Sequence, residues 1–468
     1  MTPSAMTNQA SPILTQSVPK LFFTMAMPII LGLLVNGLYT FVDAIFISRA
    51  VGTDAIGGVS AAFPIHMIMI SISTMLGSGM ASIVSRHLGA NQDVLASKVF
   101  SASMQLSIVV GIGVSILLVL GREHIFSWMN TPPALRSFAL EYITPIASYG
   151  LISFSYAILS DNFRAQGHNI LVMTLMVLSA IMNATLDYIF LFIFDWGVEG
   201  AAWATVLAIS ISLLIALFMF NRGDYRVKFL WRYFRFIPGI HKESVLLGIP
   251  VFLSYAGFAL MLVMVNLAIV NVASSQAQLL ISAHGIFNRT FMLIFLPVLG
   301  MMIAFQTFAG FNYGAKQYQR VKEGLKVAIF YTCIYGLAWT AFMLNRSDWL
   351  FTLFTEDKSL IDAAVDMANI FFIAYLLIGI RTICPALFQS LGFAWPAILL
   401  NGLHNYILLL PTLWFLSLHF GVKGIWLAFP VADILGAIII GIYTGRFMNK
   451  LAHSQDNENH LDGDKKIA

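Results

Sequence analysis

Charged residues are scarce in this sequence. Aspartate, glutamate, lysine and arginine together make up 10% of the 468 residues, and hydrophobic residues make up 59%. Soluble globular proteins carry roughly 25% charged residues, so this composition excludes a soluble protein with one large core. Runs of about 20 apolar residues, the length that a membrane-crossing helix requires, recur along the whole chain. The sequence therefore predicts a polytopic membrane protein.

Cysteine is also nearly absent. The two cysteines, Cys333 and Cys384, both fall inside apolar segments, where buried free thiols are favoured over a disulfide. No cluster of histidines or acids typical of a catalytic or metal centre occurs, so we expect no enzyme activity, no structural metal and no cofactor. The phosphate-binding pattern GxxxxGK[ST] is missing too. Active transport by this chain would therefore draw its energy from an ion gradient.

The apolar runs are too long for the strands of a membrane barrel. Such strands alternate polar and apolar residues over about 10 positions, whereas these runs are continuously apolar for about twice that length, which indicates helices. Turn residues and charges divide them into twelve transmembrane spans. The spans cover residues 21–48, 59–85, 97–120, 138–161, 169–194, 199–221, 244–270, 281–309, 324–344, 366–389, 395–419 and 424–447. The predicted fold class is an all-α polytopic membrane protein.

An even number of spans places both termini on one side of the membrane. Lysine and arginine cluster in the loops of that side, most densely in residues 222–243, so this side is predicted to be cytoplasmic. We expect a monomer in the bacterial inner membrane, with a cytoplasmic segment 1–20 and a disordered cytoplasmic tail 450–468. The charge of residues 222–243 would suit nucleic acid, but a cytoplasmic linker lying on anionic lipid is favoured. We therefore expect the bilayer, and no nucleic acid, as a partner.

The two halves of the sequence repeat one another. Three pairs of segments match at offsets of 224 or 225 residues. They are "HLGANQ" (87–92) with "NYGAKQ" (312–317), "FRAQGH" (163–168) with "FQSLGF" (388–393), and "WGVEGAAWA" (196–204) with "FGVKGIWLA" (420–428). Each half holds six spans, so the repeats are parallel: an N-lobe (21–221) and a C-lobe (244–449) joined by the linker 222–243. Parallel repeats of this kind enclose a central cavity with the substrate site, which predicts a secondary transporter.

Ionisable residues inside the spans are few, and such residues are costly and usually functional. The acids of the first half are Asp43 in span 1 and Asp187 in span 5. At 1.5 Å per residue both lie in the outer half of the membrane, and Thr205 of span 6 lies at the same depth. Three helices are therefore predicted to place polar side chains at one level.

Each acid ends a polar stripe on its helix. The stripes are Asn36, Tyr39 and Thr40 before Asp43, and Ser179 and Asn183 before Asp187. Helical spacing puts each stripe on one face, and a polar face against lipid would be costly, so both stripes are expected to face the protein interior. The residues expected to line the substrate cavity are Asn36, Tyr39, Thr40 and Ser179.

Two buried carboxyl groups can form an ion site. Burial and a second carboxylate both favour the protonated acid, so the pair could bind and release a proton near neutral pH. Na⁺ is the alternative ion, because hard cations take oxygen ligands. A structural alternative also stands, in which Asp43 and Asp187 are neutral and only hydrogen-bond between helices.

Pro28 and Gly32 lie on span 1 before Asp43. Proline removes a backbone hydrogen bond and is a common cause of helix bending. These two residues therefore predict a hinge below the acid, although a tolerated proline near a helix start is the alternative.

The second half carries a different set of charges. Span 7 keeps a proline, Pro250, but has no acid. Asp433 of span 12 is isolated in sequence, and we expect it to form a structural ion pair with Arg381 or Arg289. A role in handling substrate is the alternative.

These features together resemble the multidrug and toxic compound extrusion (MATE) family of secondary transporters. The resemblance rests on the parallel repeat, on "FRAQG" and "WGVEGAAWAT", and on "MNATLDYIF" (182–190), in which Asn and Asp are four residues apart. The N-lobe cation site that the resemblance implies consists of Asp43, Asn183, Asp187 and Thr205. It also implies that Pro28 and Gly32 lie where the first helix switches between straight and bent forms.

The resemblance implies export of amphipathic or cationic drugs in exchange for protons or, less favoured, Na⁺. In the DinF-like branch, protonation of the span-1 acid is proposed to bend that helix and expel the substrate, and the missing acid of span 7 favours this branch. Span 4 departs from the family, offering Tyr156 and Ser160 where asparagine is expected. The rival function is a flippase for lipid-linked oligosaccharides or lipids, which should have a strongly cationic cavity. Away from the span ends, Arg289 and Arg381 are the only lysines or arginines in the spans, which favours drug export.

Overall fold

The computed structural model describes residues 12–129 and 131–464, without the side chains of residues 53 and 452–464. All regular secondary structure in these ranges is helical, as predicted. Of the predicted N-terminal segment, residues 1–11 lie outside the described residues. A single helical turn, Pro12–Thr15, precedes the first long helix.

Twelve helices, numbered α1 to α12 in chain order, make up the two halves. The first half contains α1 (Val18–Ala50), α2 (Thr53–Gly89), α3 (Asp93–Trp128), α4 (Pro133–Ser148 and Gly150–Ala165), α5 (Asn169–Tyr188, followed by a π-helix at Ile189–Ile193) and α6 (Gly197–Arg222). The second half contains α7 (Pro238–Val272), α8 (Ala277–Gly314), α9 (Tyr318–Thr352), α10 (Lys358–Phe371, a 3-10 segment Phe372–Leu377, and Ile378–Leu391), α11 (Ala394–Gly402, a π-helix at Leu403–Leu409, then 410–420) and α12 (422–464).

Two irregular stretches decide the number of spans. The two parts of α4 meet at 56°, and together they form one apolar span. The apolar helix that starts at Ala394 continues for 58 residues, about 87 Å at 1.5 Å per residue, which is too long for one crossing of a hydrocarbon layer about 30 Å thick. Gly421 divides it, because its φ of 58° is left-handed, a conformation that glycine adopts without steric cost. The prediction of twelve spans is confirmed.

The backbone repeats itself in the same register as the sequence. Residues with left-handed φ recur at equivalent helix ends in the two halves. The pairs are Asn91 (56°) with Lys316 (57°), Gly167 (86°) with Gly392 (88°), and Gly197 (60°) with Gly421 (58°). The same turns therefore join equivalent helices, as expected for two parallel six-helix repeats.

The halves meet where α2 packs on α7 and α8, and where α1 packs on α8. We call the end of the bundle that carries residues 223–237 the linker end. Near it, Gly79 of α2 faces the carbonyl of Ser244, and Gly248 of α7 faces the carbonyl of Met75. Any side chain at either glycine would overlap backbone atoms of the other half. The two helices therefore touch there through their backbones.

Hydrogen bonds between the halves cluster at the linker end. Ser82 Oγ donates to the carbonyl oxygen of Gln389 at 2.6 Å. Arg86 forms a 2.8 Å ion pair with Glu243. Each contact joins a helix of the first half to one of the second, so the bundle is closed between the halves at this end.

The linker is fixed to the first half. Arg226 pairs with Asp93 at 2.6 Å, and the backbone N–H of Lys228 donates to Ser97 Oγ at 2.9 Å. These contacts tie residues 223–237 to the first turns of α3. The linker thus lies against protein, and its position on the membrane surface stays a prediction.

Two predicted boundaries are wrong. The linker, predicted as 222–243, ends earlier because α7 begins at Pro238, and proline suits the first turn of a helix. The tail, predicted to be disordered from residue 450, is helical as far as Asp464, since it holds no proline or glycine before Gly463 to end α12. Residues 465–468 of that predicted tail lie outside the described residues.

The backbone contact between α2 and α7 predicts that Gly248→Ala destabilises the protein. Alanine normally stabilises a helix by about 1 kcal/mol relative to glycine. A Cβ at residue 248 would overlap the Met75 carbonyl, so we expect a net loss of about 1–3 kcal/mol. Gly113→Ala on α3, where the added carbon meets open space, is the matched control and should be neutral or stabilising. Thermal unfolding of both purified variants in detergent measures the difference, and an unchanged melting temperature for Gly248→Ala would contradict this packing.

Candidate functional site

Asn183, Asp187 and Thr205 form a buried polar group between α5 and α6. Asn183 is 3% exposed, Asp187 0% and Thr205 7%. When the Asn183 side-chain amide is oriented so that both its nitrogen and its oxygen form hydrogen bonds, the nitrogen donates to Asp187 Oδ2 at 3.0 Å. Its oxygen then accepts from Thr205 Oγ1 at 3.1 Å and from the Thr205 backbone N–H at 3.2 Å. The structure thus brings together three of the four predicted cation-site residues through direct contacts.

Asp43 of α1 completes the predicted set. Its carboxyl group is close enough to that of Asp187 for the two to interact electrostatically. Oδ1 of Asp43 and Oδ1 of Asp187 are both buried, and neither accepts a hydrogen bond from any described residue. The site therefore holds two carboxyl groups with free acceptor oxygens directed into protein.

The chain leaves the regular α-helix immediately after Asp187. The π-helix Ile189–Ile193 follows, and π-turns are frequent at functional sites. Beyond the acids, the ring of Phe46 on α1 packs edge-on against Phe192 at 5.6 Å and against Tyr188 at 6.5 Å. An aromatic cluster thus joins α1 to α5 on the side of the acids away from the linker end.

Two tyrosines of α4 border the site, and the sequence analysis missed them. Tyr142 and Tyr149 are 7% and 5% exposed, and Tyr142 lies within electrostatic reach of both acids. They are seven residues apart, a spacing that puts both on one helix face and that could have revealed them. Tyr156, the α4 residue that the sequence analysis considered, has a buried hydroxyl without a partner among the described residues.

The predicted polar stripe of α1 is not gathered on one buried face. Tyr39 is half-buried and lies within electrostatic reach of Asp43 and Asp187. Asn36 and Thr40 are exposed, and the Thr40 hydroxyl donates to the Asn36 carbonyl of its own helix at 3.2 Å. Asn36 and Thr40 are therefore not buried within the half, and the direction that this part of the stripe faces stays a prediction.

The proposed cavity lining stays a prediction for all four of its residues. Ser179 on α5 is half-buried, one turn before Asn183. The exposed faces of Asn36 and Thr40 are compatible with a position on the cavity wall.

Pro28 and Gly32 lie within one continuous helix. Gly32 is buried, and a Cβ there would lie 3.0 Å from Met176 Sδ and 3.4 Å from Met173 Cα. The glycine therefore allows α1 and α5 to approach closely below the acids. A hinge at these residues stays a prediction.

Asp433 is paired with Arg381, one of the two partners expected from the sequence. Arg381 Nε lies 3.4 Å from Asp433 Oδ1. Arg289 is exposed and forms no ion pair in the described part of the chain. The charges buried in the second half are thus balanced, unlike those of the first.

The comparison with protein families matches both halves. A family model described as MatE covers residues 28–189 and 250–415. The chain belongs to the MatE family. The two matched ranges correspond to the two repeats, and the first includes Asp43, Asn183 and Asp187.

Named relatives of this MatE protein align along nearly its whole length. It is 22% identical over 452 residues to the probable multidrug resistance protein YoeA of Bacillus subtilis, covering 93% of this chain and 96% of YoeA. It is 23% identical over 422 residues to the multidrug export protein MepA of Staphylococcus saprophyticus, covering 90% of this chain and 92% of MepA.

A solved MATE structure has the same fold. The outward-facing conformation of a multidrug resistance MATE family transporter of the MOP superfamily superposes with a TM-score of 0.88. The match covers 95% of this chain and 99% of that one at 22% identity. The two-lobe, twelve-helix architecture is therefore that of MATE transporters.

The hydrogen bonds of Asn183 predict that Thr205→Val lowers the stability of the protein. Valine keeps the shape of threonine but removes the hydroxyl that donates to Asn183, so we expect a loss of about 1 kcal/mol in stability. Thr205→Ser keeps the donor and is the control. Thermal unfolding in detergent compares the two variants, and equal melting temperatures would show that the Thr205 hydroxyl does not support Asn183.

Proposed function

We propose that this MatE protein is a multidrug efflux antiporter that exports amphipathic or cationic drugs in exchange for protons. The observation that carries the proposal is the acid pair of the N-lobe, Asp43 and Asp187, with buried oxygens that no described donor satisfies. The relatives YoeA and MepA, named as multidrug resistance and export proteins, support drugs as the substrate class.

Protons suit the acid pair better than Na⁺. No lysine, arginine or histidine in the described part of the chain forms an ion pair with Asp43 or Asp187. Two adjacent carboxylates away from water cannot both stay ionised at low cost, so one of them takes up a proton. Na⁺ would need several oxygen ligands, but the oxygen of Asn183 is turned to Thr205 and its nitrogen faces Asp187. In this orientation the Asn183 oxygen does not face Asp187 as a ligand for Na⁺.

Protonation of Asp43 can change the position of α1, because α1 contacts α5 on both sides of Asp43 along the helix. Gly32 packs against Met176 on one side of the acid, and Phe46 packs against Tyr188 on the other. Neutralising Asp43 removes its repulsion from the second acid and changes the packing that keeps α1 in place. Pro28, which lacks a backbone hydrogen bond, is where α1 bends at least cost, and the bent helix would fill the cavity and expel the drug.

The charges of α7 favour the DinF-like branch within the family. The acid of α7 that the structure describes is Glu243, at the linker end, and it is paired with Arg86. The middle of α7 therefore offers no carboxylate for a cation site in the second lobe, and coupling is assigned to the first lobe.

The sidedness follows from the closed end of the bundle. We assign the linker end, with its lysines and arginines, to the cytoplasm, with both termini on that side of a bacterial inner membrane. Because the halves are bonded together there, the central cavity opens to the outside. Protons entering from outside would reach Asp43, which lies near the far end of α1.

A flippase is the second candidate function. It would need a strongly cationic cavity for a pyrophosphate group. Arg381 is already balanced by Asp433, which leaves Arg289 as the exposed arginine of the spans. This charge balance favours drug export.

Replacing the α1 acid tests the coupling. Asp43→Asn removes the titratable group but keeps its size, so we expect drug resistance in a hypersensitive strain to fall to the level of the empty vector. Asp54→Asn, at an exposed acid at the start of α2, is the matched control and should keep full resistance. Full resistance with a folded, membrane-inserted Asp43→Asn protein would refute the proposal.

Proteoliposomes identify the ion. Purified protein should export drug when a pH gradient is imposed without Na⁺, and should not when a Na⁺ gradient is imposed without a pH gradient. The reverse result would assign Na⁺ as the coupling ion.

The contacts at the linker end predict that this end must open during transport. Ser82→Cys and Gln389→Cys, placed where Ser82 bonds the Gln389 backbone, should be joined by a short thiol cross-linker in a background without Cys333 and Cys384. We expect the cross-link to stop transport and a reducible cross-linker to restore it on reduction. Each single-cysteine variant is a control, and undiminished transport by the cross-linked protein would contradict alternating access at this end.

A further inference from the structure

Three charged or titratable side chains meet inside the second half. His404 Nε2 of α11 lies 2.6 Å from Asp433 Oδ1 of α12, and Arg381 Nε of α10 approaches the same oxygen at 3.4 Å. His404 is 5% exposed and Asp433 is 7% exposed. The sequence predicted a partner for Asp433 but did not place His404 beside it.

The cluster lies on the counterparts of the helices that carry the N-lobe site. Helices α10, α11 and α12 repeat α4, α5 and α6, and the 225-residue offset makes His404 equivalent to Ser179, one turn before Asn183. His404 also lies in the π-helix Leu403–Leu409, as expected for a functional position. In the first half the equivalents of α11 and α12 carry Asp187 and Thr205, whereas Asp43 lies on α1.

The second ring nitrogen of His404 has two competing partners. Nδ1 lies 3.1 Å from Arg381 Nη1 and 2.9 Å from Asn405 Oδ1. A guanidinium only donates hydrogen bonds, so bonding to Arg381 requires an unprotonated Nδ1 and a neutral ring whose Nε2–H donates to Asp433. A proton on Nδ1 would instead be donated to Asn405 Oδ1, which is already within hydrogen-bond distance. The cluster thus has a partner ready for either protonation state.

We propose that this cluster is a second proton-binding site, in which the imidazole of His404 takes up the proton. The imidazolium pairs with Asp433 and repels the guanidinium of Arg381, which gives up its contact with Nδ1. The net charge of the three side chains changes from zero to +1, and the bond between α10 and α11 is lost. The site is separate from the acids of the first half and does not depend on them.

Few other titratable groups face the cluster from its own layer of helices. Tyr375 of α10 lies within electrostatic reach of Arg381 and Asp433, and Tyr335 of α9 interacts with Tyr375. Tyrosine hydroxyls keep their protons near neutral pH. They add no charge that would compete with Asp433.

The neighbouring helices bring glycine rather than charge. Gly436 of α12 faces His404 so closely that an added Cβ would lie 3.3 Å from the imidazole Cδ2, and Gly257 of α7 faces Asn405. Of the three side chains in the cluster, the imidazole is the one that can hold either one or two ring protons. His404 is therefore the member of the cluster suited to take up a proton, with Asn405 Oδ1 placed to accept from Nδ1.

Deuterium exchange at the imidazole C2 position tests the proposal directly, because its rate follows the protonation state of each histidine. Full-length protein in detergent is incubated in D₂O across a pH series, and mass spectrometry of its peptides gives a separate titration curve for each histidine. His284 is the internal control: it is 3% exposed and contacts Asn266 at 3.2 Å, without a carboxylate partner. We expect a protonation step in the His404 curve within the pH range over which the protein stays folded, and the His284 curve shows how a buried histidine without a carboxylate partner behaves. A His404 curve without a step in that range would overturn the proposal.

Asp433→Asn provides a second measurement. Loss of the carboxylate removes the charge that stabilises the imidazolium, so less of His404 should be protonated at a given pH in the variant than in the wild type. An unchanged midpoint would contradict the assigned role of Asp433, and if the variant does not fold, the wild-type curve still decides. Neither measurement uses transport or Asp43, so failure here leaves the proposed antiport intact, and failure of the Asp43 test leaves this site intact.

Discussion

Two carboxyl groups share the interior of the N-lobe without a cationic side chain to balance them. Burying an unpaired charge is costly, and lipid around the bundle offers neither water nor a counter-ion. The surrounding groups reduce that cost only in part: Asn183 donates to one oxygen of Asp187, while the other oxygen has no donor among the described residues. In the proposed antiport, the energy of this helix arrangement depends on whether a proton is bound to the acid pair. This dependence is what an ion-driven transporter requires.

The two halves share one backbone arrangement but differ in how their buried charges are balanced. The left-handed residues at equivalent turns show how closely the second half follows the first. The first half buries like charges and leaves them unbalanced. In the second half Asp433 is balanced by Arg381, a buried pair that costs more to break than it contributes when intact. Duplication thus preserved the helices while the polar side chains diverged.

Much of the fold could be predicted because lipid leaves the chain few options. Backbone polar groups must be satisfied within each segment, so length and composition alone indicate helices, and the repeat assigns them to two halves. The grouping of Asn183, Asp187 and Thr205 could be predicted as well, from depth along the spans and from helical spacing. These are properties of single helices.

What could not be predicted depends on how helices rotate and bend against one another. The stripe of α1 was expected to face the interior of the half, but Asn36 and Thr40 are exposed. Tyr142 and Tyr149 lie before and at the 56° bend of α4. Their seven-residue spacing puts them on one face, but where the bend places that face relative to the acids depends on tertiary packing. The position of His404 beside Arg381 and Asp433 could not be predicted either, because these partners are 23 and 29 residues away in the chain.

The attachment of the linker limits the motion between the halves. The backbone N–H of Leu230 is bonded to Ser101 on α3 at 2.8 Å, and α7 begins at Pro238. The segment between these two points, which includes the 3-10 turn Trp231–Tyr233, can extend to at most about 26 Å, at about 3.3 Å per residue. However the far end of the bundle moves, the start of α7 stays within that distance of α3 while the bond to Ser101 is kept. The linker therefore sets an upper limit on how far the halves separate at this edge.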